Sequence, residues 1–268
     1  MLSEMLGELN ASHTGASYYY RGSGDVTAEF GMFFDEVYDG DGLKIKEIIK
    51  GNDMIKSTSK IVEGVVIEEI DGQKIKEGED YYPMLNHKAG KSVVLTLRDG
   101  KKQWKERVKL LSKGRQEALL YDRWIEQREH LVDSLSGGRI GYVHVESMDS
   151  RSFRKVYSKV FGENRNKEAL VVDTRFNGGG WLHDDLATML GGEVYAEFCP
   201  RGQFVSREPL NKWAKPSVVV MNEANYSDAH GFPYVYKTLK LGKLVGMPVP
   251  GTMTAVWWEN QIDPSIVF

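Results

Sequence analysis

The sequence has few cysteines, little net charge and no long apolar run, and each of these absences excludes a class of protein. It contains a single cysteine, Cys199, among 268 residues, which excludes an intrachain disulfide and a thiolate metal cluster. Acidic and basic residues nearly balance, 38 against 35, and they are interspersed along the chain. This balance argues against nucleic acid or a membrane surface as the main partner. No apolar run is long enough to span a bilayer, so we expect no membrane span.

The composition otherwise fits an ordinary globular protein. Hydrophobic residues make up 41% of the chain, enough for a sizeable core in one large or two modest domains. None of the six histidines has the spacing of a metal-binding motif, so we expect no metal and no cofactor. The chain opens at Met1 in an amphipathic helix without a signal peptide, and it ends at Phe268 in a strand-like segment. We therefore expect a fragment of a longer protein, and the compartment stays open between cytoplasm and periplasm.

The residue pattern divides the chain into three parts. Residues 1–30 predict a helical segment that gives way to an extended stretch rich in Gly, Ser and Tyr. Residues 31–112 alternate apolar and polar positions between turn signals, which predicts a small β-rich domain with one helix at Tyr81–Leu85. Residues 113–268 start with a long charged helix and then alternate strands with helices. This order predicts an α/β core with a mainly parallel sheet and with sites at the carboxyl ends of its strands.

A serine follows one of those strand ends. The apolar run Val218–Met221 stops at Asn222, and Ser227 stands where a helix is expected to begin. Many hydrolases expose a nucleophile at such a junction, because backbone N–H groups and the helix dipole stabilise an oxyanion there. The simpler interpretation is that Ser227 only caps the helix, since serine is a favoured N-cap residue.

A glycine run follows the neighbouring strand end. Residues 177–180 read Asn-Gly-Gly-Gly, between the buried strand Ala169–Thr174 and a helix. Glycines let the backbone turn tightly and point N–H groups outward, which suits a phosphate or an oxyanion. The spacing is that of neither a Walker loop nor a dinucleotide fingerprint. A purely structural turn is the alternative.

The residues alone do not settle which histidine would activate Ser227. His183 and His230 each start a helix beside one of the two candidate sites, and His13 follows the end of the first helix. All three stay open as the base. The remaining histidines fit solvated or core positions; these are His87, His130 and His144.

Seven segments spread over the chain share one resemblance. They are LNASH at 9–13, GVVIEEIDG at 64–72, LNHKAG at 85–90, GGRIGYVH at 137–144, VDTRFNGGG at 172–180, NEANYSD at 222–228 and LKLGKLVG at 239–246. Together they resemble the C-terminal portion of the tricorn-type peptidases, a branch of the C-terminal-processing serine proteases, family S41. The resemblance implies a ClpP/crotonase-like α/β core with a PDZ-like domain inserted at residues 31–112. It also implies a serine endopeptidase whose partner is a peptide or unfolded polypeptide, and it leaves a homo-oligomer open.

The resemblance assigns a role to individual residues. It makes Ser227 the nucleophile, His13 the general base and Ser12 the group that orients His13. The oxyanion hole would be formed by backbone N–H groups, those of Gly178, Gly179 and Asp228. A hydroxyl nucleophile needs a base within about 3 Å, and the tetrahedral oxyanion needs a pair of donors.

The chain departs from the family pattern in two places. Classical processing proteases use a lysine base in a Thr-x-Gly-Lys context, whereas here residues 251–254 read Gly-Thr-Met-Thr, which favours the serine–histidine version. The family also orients its site with a glutamate before Pro-Asp. Glu259 resembles it, but the proline at 264 comes too early, so we expect the true acid beyond Phe268. Glu197 stands near the family's specificity acid, which would favour basic P1 side chains.

Two other functions compete with the peptidase hypothesis. One is a peptide-binding protein with an inactive core, in which the PDZ-like domain captures chain ends by β-strand addition. The other is a crotonase-like acyl-CoA enzyme, which shares the βαβ core and the oxyanion glycines but gives Ser227 no obvious role.

Overall fold

The computed structural model describes residues 2–9, 11–14 and 24–254. The chain forms two compact units. Residues 20–127 make up the first, here called the β-rich unit, and residues 1–19 with 128–268 make up the second, the α/β unit. The boundary falls within the long helix α2, Lys113–Ser136. The predicted division at 1–30, 31–112 and 113–268 stays a prediction. No helix in the described part of the chain has the length and apolarity that a membrane crossing requires.

The β-rich unit is built on one antiparallel sheet. Its strands are β1 (Met32–Phe34), β2 (Leu43–Ile48), β3 (Val66–Ile70), β4 (Gln73–Lys74), β5 (Ser92–Asp99) and β6 (Lys102–Lys109). They run in the order β1-β2-β3-β5-β6, and β4 pairs with β3. Asp71 and Gly72 join β3 to β4 with φ angles of 53° and 83°, the left-handed backbone that an Asp-Gly hairpin turn requires.

One face of this sheet supplies the core of the unit. In β5 the side chains of Val93, Leu95 and Leu97 are buried, as the alternation of a half-buried strand requires. The helix predicted at Tyr81–Leu85 is a short 3-10 turn, Tyr82–Leu85. The turn does not continue because Asn86, the residue that follows it, has an extended backbone with ψ of 135°.

The α/β unit contains the remaining elements. Its helices are α1 (Leu2–Gly7), α3 (Ser150–Phe161), α4 (His183–Leu190) and α5 (Asp228–Thr238). Its strands are β7 (Ile140–His144), β8 (Ala169–Asp173), β9 (Ala196–Phe198), β10 (Ser206–Glu208), β11 (Ser217–Met221) and β12 (Lys243–Gly246). A four-stranded sheet has the order β12-β11-β8-β7, and every pair in it is parallel, which confirms the parallel sheet predicted for the α/β core. Strands β9 and β10 form a separate antiparallel ribbon.

The topology of the parallel sheet positions the site. Strands β8 and β11 are direct neighbours, in register from Leu170 opposite Ser217 to Asp173 opposite Val220. Their carboxyl ends therefore meet at one edge of the sheet, where β8 leads into the glycine run and β11 leads into Ser227. The helices α4 and α5 that follow these strands pack against each other. Two residues 50 positions apart in sequence, such as 177 and 227, are thus brought to the same edge.

Candidate active site

Ser227 sits on a strained turn between β11 and α5. Its backbone has φ of 54° and ψ of −121°, a conformation that costs a residue with a side chain about 1–3 kcal/mol. It occupies the N-cap position of α5, yet its hydroxyl makes no capping hydrogen bond. The simpler interpretation of Ser227 as a helix cap therefore does not explain its geometry. The turn points the hydroxyl away from the helix and toward another part of the chain.

The hydroxyl of Ser227 meets His13. The Oγ of Ser227 lies 2.8 Å from Nε2 of His13, across 214 positions of sequence. The other two candidate bases are engaged elsewhere. His183 Nδ1 contacts the carboxylate of Asp228 at 2.5 Å, and His230 Nδ1 accepts the N–H of Met253 at 3.1 Å. Within the described residues, His13 is the histidine that the structure brings to the serine.

His13 is held from several sides. Its backbone N–H donates to the hydroxyl of Tyr226 at 2.8 Å, and the two rings lie 4.7 Å apart between centroids. Its Nδ1 is hydrogen-bonded to the hydroxyl of Ser12 and lies 3.1 Å from Oγ1 of Thr254. Both contacts leave Nε2 facing Ser227. Sequence reasoning assigned the Ser12 contact by resemblance and missed Tyr226 and Thr254.

The glycine run packs directly against the serine turn. A Cβ built on Gly179 would lie 2.6 Å from Cβ of Ser227 and 2.8 Å from the carbonyl oxygen of Tyr226, and its φ is 100°. Only glycine fits at this position. Asn177, fully buried, fixes the run: its Nδ2 donates to the carbonyl of Val145 at 2.8 Å, and its Oδ1 accepts the N–H of Gly179 at 2.8 Å.

The backbone N–H groups near Ser227 differ in what they contact. The Gly179 N–H donates a hydrogen bond to Oδ1 of Asn177. Among the described residues, the N–H groups of Gly178, Gly180 and Asp228 form no hydrogen bond with the protein. Asp228 begins α5, so its N–H belongs to the positive end of a helix. The Asp228 N–H and at least one glycine N–H are thus available to an oxyanion.

The Asp228 side chain ties the start of α4 to the serine turn. Its buried carboxylate accepts the N–H of Leu182 at 2.6 Å and the N–H of His183 at 3.1 Å, in addition to its contact with the His183 ring. The carboxylate thereby satisfies donors at the start of α4 that have no partner within that helix. This bridge holds the end of the glycine loop against α5.

Asn225 braces the same turn from within. It is fully buried, and its Nδ2 donates to Oγ1 of Thr174 at 2.9 Å and to the carbonyl of Ala229 at 3.2 Å. Pro233 lies inside α5 four residues after Ala229 and has no N–H to donate to that carbonyl. Asn225 therefore replaces the helical hydrogen bond that Pro233 removes.

An ion pair between a buried carboxylate and a half-buried guanidinium lies at the carboxyl end of β8. The fully buried carboxylate of Asp173 accepts hydrogen bonds from two nitrogens of Arg175, the closer at 2.6 Å, and from the hydroxyl of Tyr142 at 2.8 Å. Hydrogen bonds to Asp173 raise the pKa of Arg175. Burial lowers the pKa of His144 nearby, which favours the neutral imidazole. The pair fixes the strand end from which the glycine loop departs.

Two other predicted site residues lie away from this cluster or outside the description. Glu197 belongs to β9 and lies 3.7 Å from Arg207 of β10 in an exposed ion pair, and no contact links it to Ser227. Its role in specificity stays a prediction. Glu259 lies outside the described residues. The described part of the chain contains no group of His, Cys, Asp and Glu residues able to hold a metal ion.

Comparison with known proteins gives one consistent result. Residues 139–267 match the model of peptidase family S41. The tricorn protease of Thermoplasma acidophilum is 29% identical over 199 residues, 74% of this chain and 18% of the relative. That of Thermoplasma volcanium is 28% identical over 267 residues, 96% of this chain and 25% of the relative. The crystal structure of the tricorn protease matches with a TM-score of 0.78 and 25% identity, over 97% of this chain and 26% of that one. The chain thus spans about a quarter or less of these relatives' length.

Proposed function

We propose that this chain hydrolyses peptides as a serine peptidase. The proposal starts from the match of residues 139–267 to the model of peptidase family S41 and from the similarity of the chain to tricorn proteases. The observation that carries the proposal is the 2.8 Å contact between Ser227 Oγ and His13 Nε2 at a strained strand-to-helix turn. A half-buried hydroxyl beside a base, at the carboxyl edge of a parallel sheet, is the arrangement of an activated nucleophile.

The proposed reaction has two halves. In the first, Ser227 Oγ attacks the carbonyl carbon of the peptide bond while His13 Nε2 accepts the hydroxyl proton. The tetrahedral intermediate places its oxyanion on the N–H of Asp228 and on a glycine N–H of the loop at 178–180. His13 then gives the proton to the leaving amine, and the C–N bond breaks. In the second half, water attacks the acyl carbon while His13 takes its proton; the acyl–oxygen bond to Ser227 then breaks, and His13 returns the proton to Ser227 Oγ.

The surface beside the site suits a polypeptide. Trp181, next to the glycine loop, is 75% exposed, and Phe176 at its other end is 55% exposed. Large apolar side chains that remain in water next to a reactive group favour contact with apolar side chains of a substrate. These two aromatic residues support a peptide substrate and were not singled out from the sequence.

The experiment that tests this function is hydrolysis of a fluorogenic peptide library by the folded chain. The variants are Ser227→Ala and His13→Ala. We expect each to lower kcat by at least about 10³-fold, because the two groups act as one unit. Equal hydrolysis by the chain and by Ser227→Ala would reject the function.

A second candidate function, peptide binding without hydrolysis, is favoured by one feature of the β-rich unit. A cavity of about 200 Å³ lies beside β2 and is lined by Phe34, Leu43, Ile75 and Tyr81. The cavity lies next to Tyr81, the residue that precedes the turn at Tyr82–Leu85. Two measurements separate the two functions. Peptides are titrated into the Ser227→Ala variant while NMR follows the chemical shifts of these four residues, and the unmodified chain is tested for hydrolysis of the same peptides. Shifts at the four residues together with no hydrolysis would favour binding alone.

A further inference from the structure

The segment from Pro250 to Thr254 touches both members of the candidate catalytic pair. Oγ1 of Thr252 accepts the backbone N–H of Ser227 at 3.1 Å. The carbonyl oxygen of the same residue accepts the hydroxyl of Ser12 at 3.1 Å. Thr252 is thus bonded to the serine directly and to His13 through Ser12.

The contact with Ser12 decides which nitrogen of His13 carries a proton. A serine hydroxyl has one proton and can donate it once. Of the three groups near the Ser12 oxygen, the carbonyl of Thr252 is the one that can only accept, so this assignment gives it the Ser12 proton and lets the oxygen accept from Nδ1 of His13. Nδ1 must then bear the hydrogen, and Nε2 is left with a lone pair toward Ser227, as a general base requires.

The hydroxyl of Thr252 has a separate task. Its own proton is directed to the carbonyl of Pro250, at 3.4 Å, so its lone pair is free for the N–H of Ser227. Ser227 has a positive φ, and a strained turn persists only when its surroundings hold it. The bond from Thr252 anchors the nitrogen of that turn, next to the N–H of Asp228 that the oxyanion would use.

We propose that Thr252 is a positioning residue of the reaction, which fixes the tautomer of His13 through its carbonyl and the nucleophile turn through its hydroxyl. The claim that Thr252 affects the reaction rests on the proposed function. The claim that it orients His13 and the Ser227 turn rests on the geometry alone. The partners of this relay in the described part of the chain are Ser12, Thr252 and Thr254, and each acts through a hydroxyl or a carbonyl.

The hydroxyl task is tested by the pair Thr252→Val and Thr252→Ser. Valine keeps the shape of the side chain and removes the acceptor, whereas serine keeps the acceptor. We expect Thr252→Val to lower kcat by roughly 10-fold to 100-fold with little change in KM, and Thr252→Ser to restore most of it. Hydrogen exchange at the Ser227 amide should be faster in Thr252→Val and near normal in Thr252→Ser. Unchanged kcat and unchanged exchange in Thr252→Val would overturn this task.

The tautomer task is tested by ¹⁵N chemical shifts of His13, which need no activity. The unmodified chain and Thr252→Val, which keeps the carbonyl, should both show the Nδ1–H tautomer. The double variant Ser12→Ala/Thr254→Val removes both acceptors at Nδ1 and should shift the population toward Nε2–H. An unmodified chain with Nε2–H, or a double variant with no shift, would overturn the relay. If the chain fails to hydrolyse peptides, these shifts and the Ser227 exchange rates still decide the inference.

Discussion

The backbone of Gly179 packs against the side chain of Ser227: a Cβ on Gly179 would lie 2.6 Å from Cβ of Ser227. This contact joins the loop that follows β8 to the turn that follows β11. It explains why the loop needs glycine at this position in physical terms, since φ is 100° and no space is left for a side chain.

The first prediction concerns that contact. Gly179→Ala should lower the free energy of unfolding by at least about 1–3 kcal/mol, because the left-handed backbone and the clash with Ser227 add. It should also lower kcat by about 100-fold through displacement of the serine. Thermal melting and peptide hydrolysis measure the two effects. Gly178→Ala is the matched control for stability, since its added Cβ would meet nothing within 4 Å. Equal melting temperatures for the two variants would contradict the packing described.

The second prediction concerns Asn225 under the turn. Asn225→Asp replaces a buried donor by a group that cannot donate when ionised, and it leaves the carbonyl of Ala229 without the bond that Pro233 cannot supply. We expect a loss of at least about 1–3 kcal/mol of stability, read from chemical denaturation. Asn166→Asp makes the same chemical change at an exposed position and should have little effect. A similarly small effect at Asn225 would show that the amide does not brace the turn.

The third prediction concerns the stability of the β-rich unit at low pH. Burial alone would raise the pKa of Glu106, but hydrogen bonds from Ser59, Trp104 and the Lys60 N–H together outweigh it, and the pKa falls below 4.5. A carboxylate with a lowered pKa stabilises the fold above its unfolded pKa, and this contribution is lost as the pH falls through the folded pKa. The stability that Glu106 provides is therefore present at pH 7 and disappears below about pH 4.5.

Melting temperatures of the chain and of Glu106→Gln give the measurement for this third prediction. The difference between them should be larger at pH 7 than at a pH below the lowered pKa of Glu106, where the glutamate is protonated. Glu36→Gln, the same change at an exposed position of this unit, is the matched control. A constant difference for Glu106→Gln across this pH range would contradict the assignment.

Much of the α/β core follows from local patterns in the sequence. The buried run of β8 and the apolar run of β11 both precede turn residues, so the parallel sheet and the two loops at its edge could be predicted. The strand-to-helix position of Ser227 could be predicted for the same reason. Each of these features depends on residues within about one helical turn or strand of each other.

The base could not be chosen from those patterns. His13 and Ser227 are 214 positions apart in the sequence, and tertiary packing brings them into contact. The periodicity of apolar residues carries no information about such a contact. Only the resemblance to a family separated His13 from His183 and His230. In the sequence, Thr252 and Thr254 showed only that the segment 251–254 has no lysine base. Their contacts with Ser227 and His13 are visible only in the structure.

The most direct test of the account is the rate at which a fluorophosphonate labels Ser227, because labelling requires an activated hydroxyl and no knowledge of the substrate. The label is mapped by mass spectrometry, with Ser227→Ala as the blank and His130→Ala as a control for an exposed histidine. We expect labelling at Ser227 in the unmodified chain and in the control, and a rate about 10²–10⁴-fold lower in His13→Ala. Absence of label at Ser227, or an undiminished rate in His13→Ala, would contradict the claim that His13 activates this serine.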